Sequence, residues 1–399
     1  IFNMKNIYIL CFIILMGCKS TETYTDSIER ILIKPEQGME ILLSQLVDTL
    51  TFVSLETTLN SLLVQIDKLE YDRGKYFILD RYQHSVLIFD SLGGFINKIG
   101  QKGRAPGEFE FLECFTLDTE NQYVITTDNF KNLKYFSYEG KYIKSVPLEL
   151  FYKDLIVTSG GDLAFHTSKM INYEYKKNFL GKITVKKSCF NLHIQTGSEF
   201  VKYFSYSDKI FDNGKMYQDI SYPFSKYNHF IRYIYPFNDT IFQIIDHKPH
   251  PLYYIDFEDK KSKEDLIAMN GEEVEEFYKK NKDCAYFVNN FIETDEFMKI
   301  DYFFGNKLYS TIIRKGVNHS IMTGALKNDF FGIDLFFQSV INNEFVSYFS
   351  PLLIKKLVEE EPSNEYITFF REHGLLDVNE DNNPIVMKCK FKKNEGIDQ

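Results

Sequence analysis

Tryptophan is absent from this 399-residue chain, proline is scarce at 10 residues, and no run of lysine or arginine occurs. With 46 Lys plus Arg against 56 Asp plus Glu, the formal charge is −10. That balance argues against nucleic acid as a partner, because phosphate binding needs a concentrated basic surface. Cysteine is sparse at six residues and forms no CxxC pair. The Gly-x-Ser-x-Gly turn of a nucleophile elbow is also missing, which removes one route to a serine hydrolase. What the chain has in excess is aromatic: 38 Phe and 27 Tyr bring the aromatic share to 16 %. Flat rings and branched side chains pack well on pleated surfaces, so this excess favours strands. The 44 % hydrophobic content supplies a sizeable core.

The N-terminus carries a processing signal. Met4 and Lys5 open a short basic region, and an apolar run from Ile7 to Met16 follows. Roughly ten apolar residues fall short of the about twenty that cross a bilayer, so the run reads as a signal core and not as a membrane helix. Leu15-Met16-Gly17-Cys18 resembles a bacterial lipobox, in which the cysteine is lipidated and becomes the mature N-terminus. The expected organisation is a signal peptide over 1–17, a tether over 18–37, one propeller over 38–395 and a short tail over 396–399. The membrane is then a partner through lipid on Cys18, and the expected location is the cell envelope at the outer membrane. Cys114, Cys189, Cys284 and Cys389 remain, and no spacing among them selects a disulfide.

Beyond the tether, strand-sized runs recur between turn signals. Tyr76–Asp80, Val86–Asp90 and Phe95–Ile99 are followed by Tyr123–Thr127, Leu133–Ser137 and Tyr142–Val146. Tyr76 with Tyr123, Phe89 with Phe136, Gly93 with Gly140 and Phe95 with Tyr142 share an offset of 47. A period in the forties with several strands per unit marks a β-propeller, whose blades bury one another's faces. Worn copies follow at Asn191–Phe204 around Gly197, at Phe230–Phe257, and at Tyr302–Ile313 around Gly305-Asn306. Lys260–Asp283 and Ser350–His373 have helical spacing and read as surface insertions, broken at Gly271 and near Pro362 respectively.

Several motifs resemble those of six-bladed β-propeller lipoproteins with NHL-like repeats, found in Gram-negative envelopes. Leu55-Glu56-Thr57-Thr58 is similar to the family's "LET" entry motif, and Ile99 to Phe109 to its "GxGPGEF" loop, with Ala105 in place of the second glycine. Pro236 to Phe242 resembles its "DTIY" strand, Tyr254 to Phe257 its "YxIDF", and Asn382 to Met387 its closing "NPxL". The resemblance implies an all-β, six-bladed propeller with short helical insertions. It further implies that a strand within Leu42–Leu55 completes the sheet holding Pro384–Lys392. It does not imply a chemistry.

Candidate sites are few. Gly103, Arg104, Pro106, Gly107 and Glu108 form a candidate binding-face loop, although their spacing fits neither nucleotide fingerprint and a strand-connecting turn is the plainer reading. His247 and His250 flank Pro249, which makes a loop and not a helical metal pair, so no metal site is assigned. Asp80, Asp128 and Asp239 sit at strand ends, where aspartate usually forms turns. No catalytic residue and no cofactor is assigned. The expectation is a non-catalytic binding or scaffold module for a glycan, a peptide or an envelope protein. The alternative is a polysaccharide lyase or hydrolase using channel-mouth carboxylates, with a calcium ion.

Overall fold

The 47-residue offset corresponds to two neighbouring four-stranded sheets in the computed structural model, which describes residues 28–168, 170–177, 182–206, 220–258, 271–305, 307–316, 321–360 and 365–393. Blade 1 comprises Lys68–Asp72, Lys75–Asp80, Ser85–Asp90 and Phe95–Ile99, and blade 2 Phe115–Asp118, Tyr123–Asp128, Asn132–Ser137 and Tyr142–Pro147. The repeat extends to irregularities. Each third strand shifts register against its fourth by a bulge, between Ile88 and Phe89 in one and between Tyr135 and Phe136 in the other. Gly93 and Gly140 hold φ of +91° and +84° in the turns that follow. A side chain at Gly93 would also place Cβ 2.2 Å from the Ser54 carbonyl oxygen.

Four more blades complete the ring. Blade 3 comprises Asp154–Val157, Leu163–His166, Phe190–Thr196 and Glu199–Ser205, with a separate hairpin, Asn172–Lys177 and Ile183–Ser188, inserted after its second strand. Blade 4 comprises Phe224–Tyr227, Phe230–Tyr233, Thr240–Ile245 and Lys248–Asp256; blade 5 comprises Ala285–Glu293, Phe297–Phe304, Lys307–Arg314 and Ile321–Lys327. Blade 6 takes Ser339–Ile341, Glu344–Phe349 and Ile385–Phe391 from the C-terminal part of the chain, and its outer strand, Val47–Ser54, from the N-terminal part. This antiparallel pairing closes the ring and removes two sheet edges.

The closure is locked by the two end motifs. Asn383 donates through Nδ2 to the carbonyls of Glu56 and Ser61, accepts the Leu63 amide at 2.7 Å, and donates its own amide to Thr57 Oγ1 at 2.8 Å. Residues 320 positions apart thus saturate one buried amide side chain.

The core is divided into six apolar clusters among the described residues, one per blade interface. Alternation along a strand explains the division. In blade 1, Tyr76 and Ile78 join the cluster shared with blade 6, while Phe77 and Leu79 join the one shared with blade 2. Strands apolar on both faces read in sequence as short continuous hydrophobic runs.

Two expectations need correcting. Within the expected tether 18–37, Glu29–Leu32 is a strand, parallel to Lys248–Asp256 of blade 4; Ile31 and Ile33 are buried in the blade 4–5 cluster, which their alternation suits. The second half of the Lys260–Asp283 insertion is the helix Gly271–Lys280. The helices Pro351–Glu360 and Glu365–Glu372 are not merely solvated, because Ile354 and Phe370 are buried in the cluster between blades 5 and 6. Residues 1–27, 259–270, 361–364 and 394–399 lie outside the described residues, and with them the signal segment, Cys18, the first half of the Lys260–Asp283 insertion, Pro362 and the tail. No helix among the described residues is long and apolar enough to cross a membrane.

Candidate functional site: the axial cavity

The first strands of the six blades run side by side around the axis and enclose a cavity of about 820 Å³. Four of these strands, in blades 1, 3, 4 and 5, place charge at the cavity where the other strands carry hydrocarbon. In Lys68–Asp72, Leu69 enters the blade 6–1 cluster, whereas Lys68 and Glu70 line the cavity. Lys68 Nζ donates to Asp154 Oδ1 at 2.7 Å and to the Phe115 carbonyl at 2.9 Å, and lies 3.4 Å from Glu70 Oε1. Glu70 Oε2 accepts from Lys226 Nζ at 2.8 Å and from the Leu117 amide at 3.4 Å. Two adjacent charges of blade 1 thereby tie together the inner strands of blades 1, 2, 3 and 4.

The electrostatics follow from burial and pairing together. Burial alone would push the Glu70 carboxyl up, but Lys226 and Lys68 outweigh it and hold the group below its ordinary range. Burial alone would lower the Lys68 ammonium; Asp154 and Glu70 outweigh it and raise it. A second network lies between blades 4 and 5, where Glu293 pairs with Arg232 and, at 2.6 Å, with Lys315. Arg232 also donates to Gln243.

The mouth at which the inner strands begin is lined by Asp67, Arg81, Glu113, Lys153, Tyr222 and Gln338. Arg81 Nε donates to the Glu113 carbonyl at 2.7 Å, and its guanidinium lies 3.8 Å from Asp67. Glu113 is the exception among the described cavity carboxylates, with no direct ion pair; burial raises its pKa, with Arg81 and Lys153 opposing. His166, also at the cavity, shares a hydrogen bond of 3.0 Å with the Tyr233 hydroxyl.

The residues singled out in the sequence lie elsewhere. None of Gly103, Arg104, Pro106, Gly107 and Glu108 lines the cavity. They belong to the connection from the outer strand of blade 1 to the inner strand of blade 2. Glu108 turns back on that loop, accepting the Ala105 amide and Gln101 Nε2, each at 2.9 Å. The Ala105 amide bond, then Gln101, holds this carboxyl below its ordinary range. Arg104 pairs with Glu110 on the surface. Ala105 needs no positive φ, so its replacement of the motif's glycine is compatible with the loop. A Cβ at Gly100 would lie 2.1 Å from the Phe109 ring and one at Gly103 2.0 Å from Glu108, so these glycines serve close packing.

Asp80 accepts the Val64 amide at 2.7 Å and the Gln83 amide at 3.0 Å, and Asp128 accepts the Glu110 amide at 2.8 Å and pairs with Lys134 at 2.7 Å. Both organise turns. His247 lies beside Asp162, and no cluster of three metal-ligating side chains occurs among the described residues. Cys114 and Cys389 are buried thiols, raised by burial. The cavity's charged residues were missed in the sequence because each inner strand contributes only one or two of them and no spacing joins one blade to the next. A lysine and a glutamate two apart, just before the first apolar strand of a repeat, were the available signal.

The model of a domain of unknown function, DUF4934, matches residues 29–390. The chain belongs to the DUF4934 family. The DUF4934 fold is shared, at a TM-score of 0.71 and 17 % identity, with a protein from Bacteroides fragilis NCTC 9343 provisionally named an exported protein; the match covers 92 % of this chain and 100 % of that one. A DUF4221 family member from Bacteroides vulgatus is more distant, at a TM-score of 0.46 and 13 % identity, covering 87 % of this chain and 97 % of that one. No curated protein matches the sequence.

Proposed function

We propose that this DUF4934 propeller is an exported, non-catalytic binding or scaffold module of the cell envelope, tethered through lipid on Cys18 and presenting its propeller face to a glycan, a peptide or an envelope protein. The NHL-like lipoprotein resemblance and the provisional name of the B. fragilis neighbour favour export. The observation that carries the non-catalytic reading is the engagement of the axial carboxylates. Glu70, Asp154 and Glu293 are each held by lysine or arginine, and Asp67 by Arg81. Glycoside cleavage uses two carboxyls of separate role, one of them protonated. Glu113 has the raised pKa such an acid needs, but the carboxylates near it are committed to cations.

The test is a thermal-shift screen of the protein against glycans, peptides and divalent ions, followed by long incubation with each ligand that raises the midpoint. A ligand that binds only the native state raises that midpoint with its concentration. Binding without turnover is the expected result. Turnover of a bound glycan would overturn the non-catalytic reading.

A further inference from the structure

The face around the entry mouth carries exposed aromatic side chains and, beside them, Phe130, which packs against the blade 2–3 cluster. Phe111 and Phe151 are 44 % and 49 % exposed, and Tyr82 is 76 % exposed. Phe130 stands between the first two, its ring centroid 6.4 Å from Phe111 and 5.7 Å from Phe151, and His84 extends the row 6.0 Å beyond Phe111. The row crosses blades 1, 2 and 3 beside the cavity.

Its members are positioned by the repeat. Val64, Phe111 and Phe151 occupy the same place in the connections leading into blades 1, 2 and 3, and each has its backbone amide held by a buried strand-end side chain. Asp80 holds Val64 at 2.7 Å, Asp128 holds Phe111 at 3.2 Å, and Asn172 holds Phe151 at 2.7 Å. All three anchors are at most 7 % exposed. The connections are thereby fixed with an apolar side chain turned to solvent at each.

Phe130 is placed against local preference. It follows Asn129 at the centre of the turn Asp128–Lys131, with φ of +53° and +56° at the two positions. Such a turn favours glycine at its second central residue, and a bulky side chain at positive φ is strained. Strain of this kind persists where surrounding structure enforces it, and it clusters at ligand sites.

Two residues beyond Phe111 and Phe151 lie Glu113 and Lys153, and next to Tyr82 lies Arg81; all three line the mouth. With Asp67 they make two positive and two negative groups. A mouth with no net charge suits a neutral ligand rich in hydroxyls, since both donors and acceptors are offered, whereas a charged polymer would call for one sign. An apolar row bordering such a mouth suits a ligand with flat C–H faces.

We propose that a neutral oligosaccharide binds across blades 1 to 3, with sugar faces on Phe111, Phe130 and Phe151 and hydroxyls on Arg81, Glu113 and Lys153. This rests on the binding reading above and names its ligand class. The test is calorimetric titration of the full-length chain with neutral gluco-, manno-, galacto- and xylo-oligosaccharides of four to six units, alongside a pool of unstructured peptides. Binding of at least one oligosaccharide is expected, weakened about tenfold or more in F111S/F151S with the unfolding midpoint nearly unchanged. F130G supplies a second check: its turn prefers glycine, which offsets part of the ring's lost packing on the blade 2–3 cluster, and it too loses affinity. Undiminished binding in both variants would overturn the placement while leaving the binding reading intact. Binding of peptides alone, or of no oligosaccharide in the panel, would overturn the ligand class. Turnover of the sugar would instead strike at the non-catalytic reading.

Discussion

Lys75–Asp80 and Lys68–Asp72 are neighbouring strands of one blade, yet they are held by different forces. The first places Tyr76 and Ile78 in one interblade cluster and Phe77 and Leu79 in the next, so each side chain contributes burial to a partner blade. The second has room for hydrocarbon on one side only, because its other side faces the axial cavity. There Lys68 and Glu70 do the joining, by charge-assisted hydrogen bonds to three other inner strands. Blade bodies tolerate exchange of one apolar residue for another of similar size. Buried ion pairs do not tolerate loss of one partner, because the remaining charge stays desolvated.

The largest effect should therefore come from the inner ring. Lys68→Met leaves Asp154 and one oxygen of Glu70 without their cation, and should cost about 3–5 kcal/mol of stability. K226M should cost less, since Lys68 still faces Glu70. Urea denaturation midpoints measure both, and a loss below about 1 kcal/mol for K68M would erase the distinction drawn between ring and blade body.

Acid should separate the two regions as well. Burial, reinforced by Lys202, lowers the His193 pKa to about 4 in blade 3. The native state therefore keeps this imidazole neutral while the unfolded chain protonates near 6.5. Its contribution, about 3 kcal/mol at most, is present above pH 6.5 and is lost as pH falls toward 4. The depressed Glu70 carboxyl adds a loss at still lower pH, as it is protonated through its folded pKa. Melting temperature should fall from pH 7 to pH 5 in the wild type and fall less steeply in H193Q. An equal slope would assign the acid sensitivity to other groups.

The repeat itself can be sharpened by its two turn glycines. Gly93→Ala directs a methyl group at the Ser54 backbone of blade 6, whereas the nearest atom at Gly140 is the exposed Asn97 side-chain amide, 2.7 Å away, which can yield at the cost of one hydrogen bond to the Glu139 carbonyl. G93A should cost about 2–3 kcal/mol and G140A about 1 kcal/mol. Equal losses in thermal unfolding would mean that positive φ, and not closure of the ring, sets the penalty. The smallest effect should be at the aromatic row, where F111S and F151S each change stability by about 1 kcal/mol or less, because both rings are already half in water.

The motifs most legible in the sequence turned out to be structural. Leu55–Thr58 and Asn382–Pro384 form the seam of ring closure, and the glycine loop packs on Phe109 and Glu108. They can be read because backbone geometry demands particular residues at fixed spacing. The axial residues have no such spacing. Lys68, Asp154 and Lys226 lie on three blades, and their meeting at one axis depends on how many blades there are and how they tilt.

The sequence by itself determined the blade body, its repeated strands and its turn glycines, since local burial and backbone conformation are written in neighbouring residues. The pairing of the two ends was implied only by the family resemblance. Only the tertiary structure decided the cavity, the ion pairs across it and the row of rings beside its mouth. Those are relations between residues tens to hundreds of positions apart, and closing the ring is what brings them within contact distance.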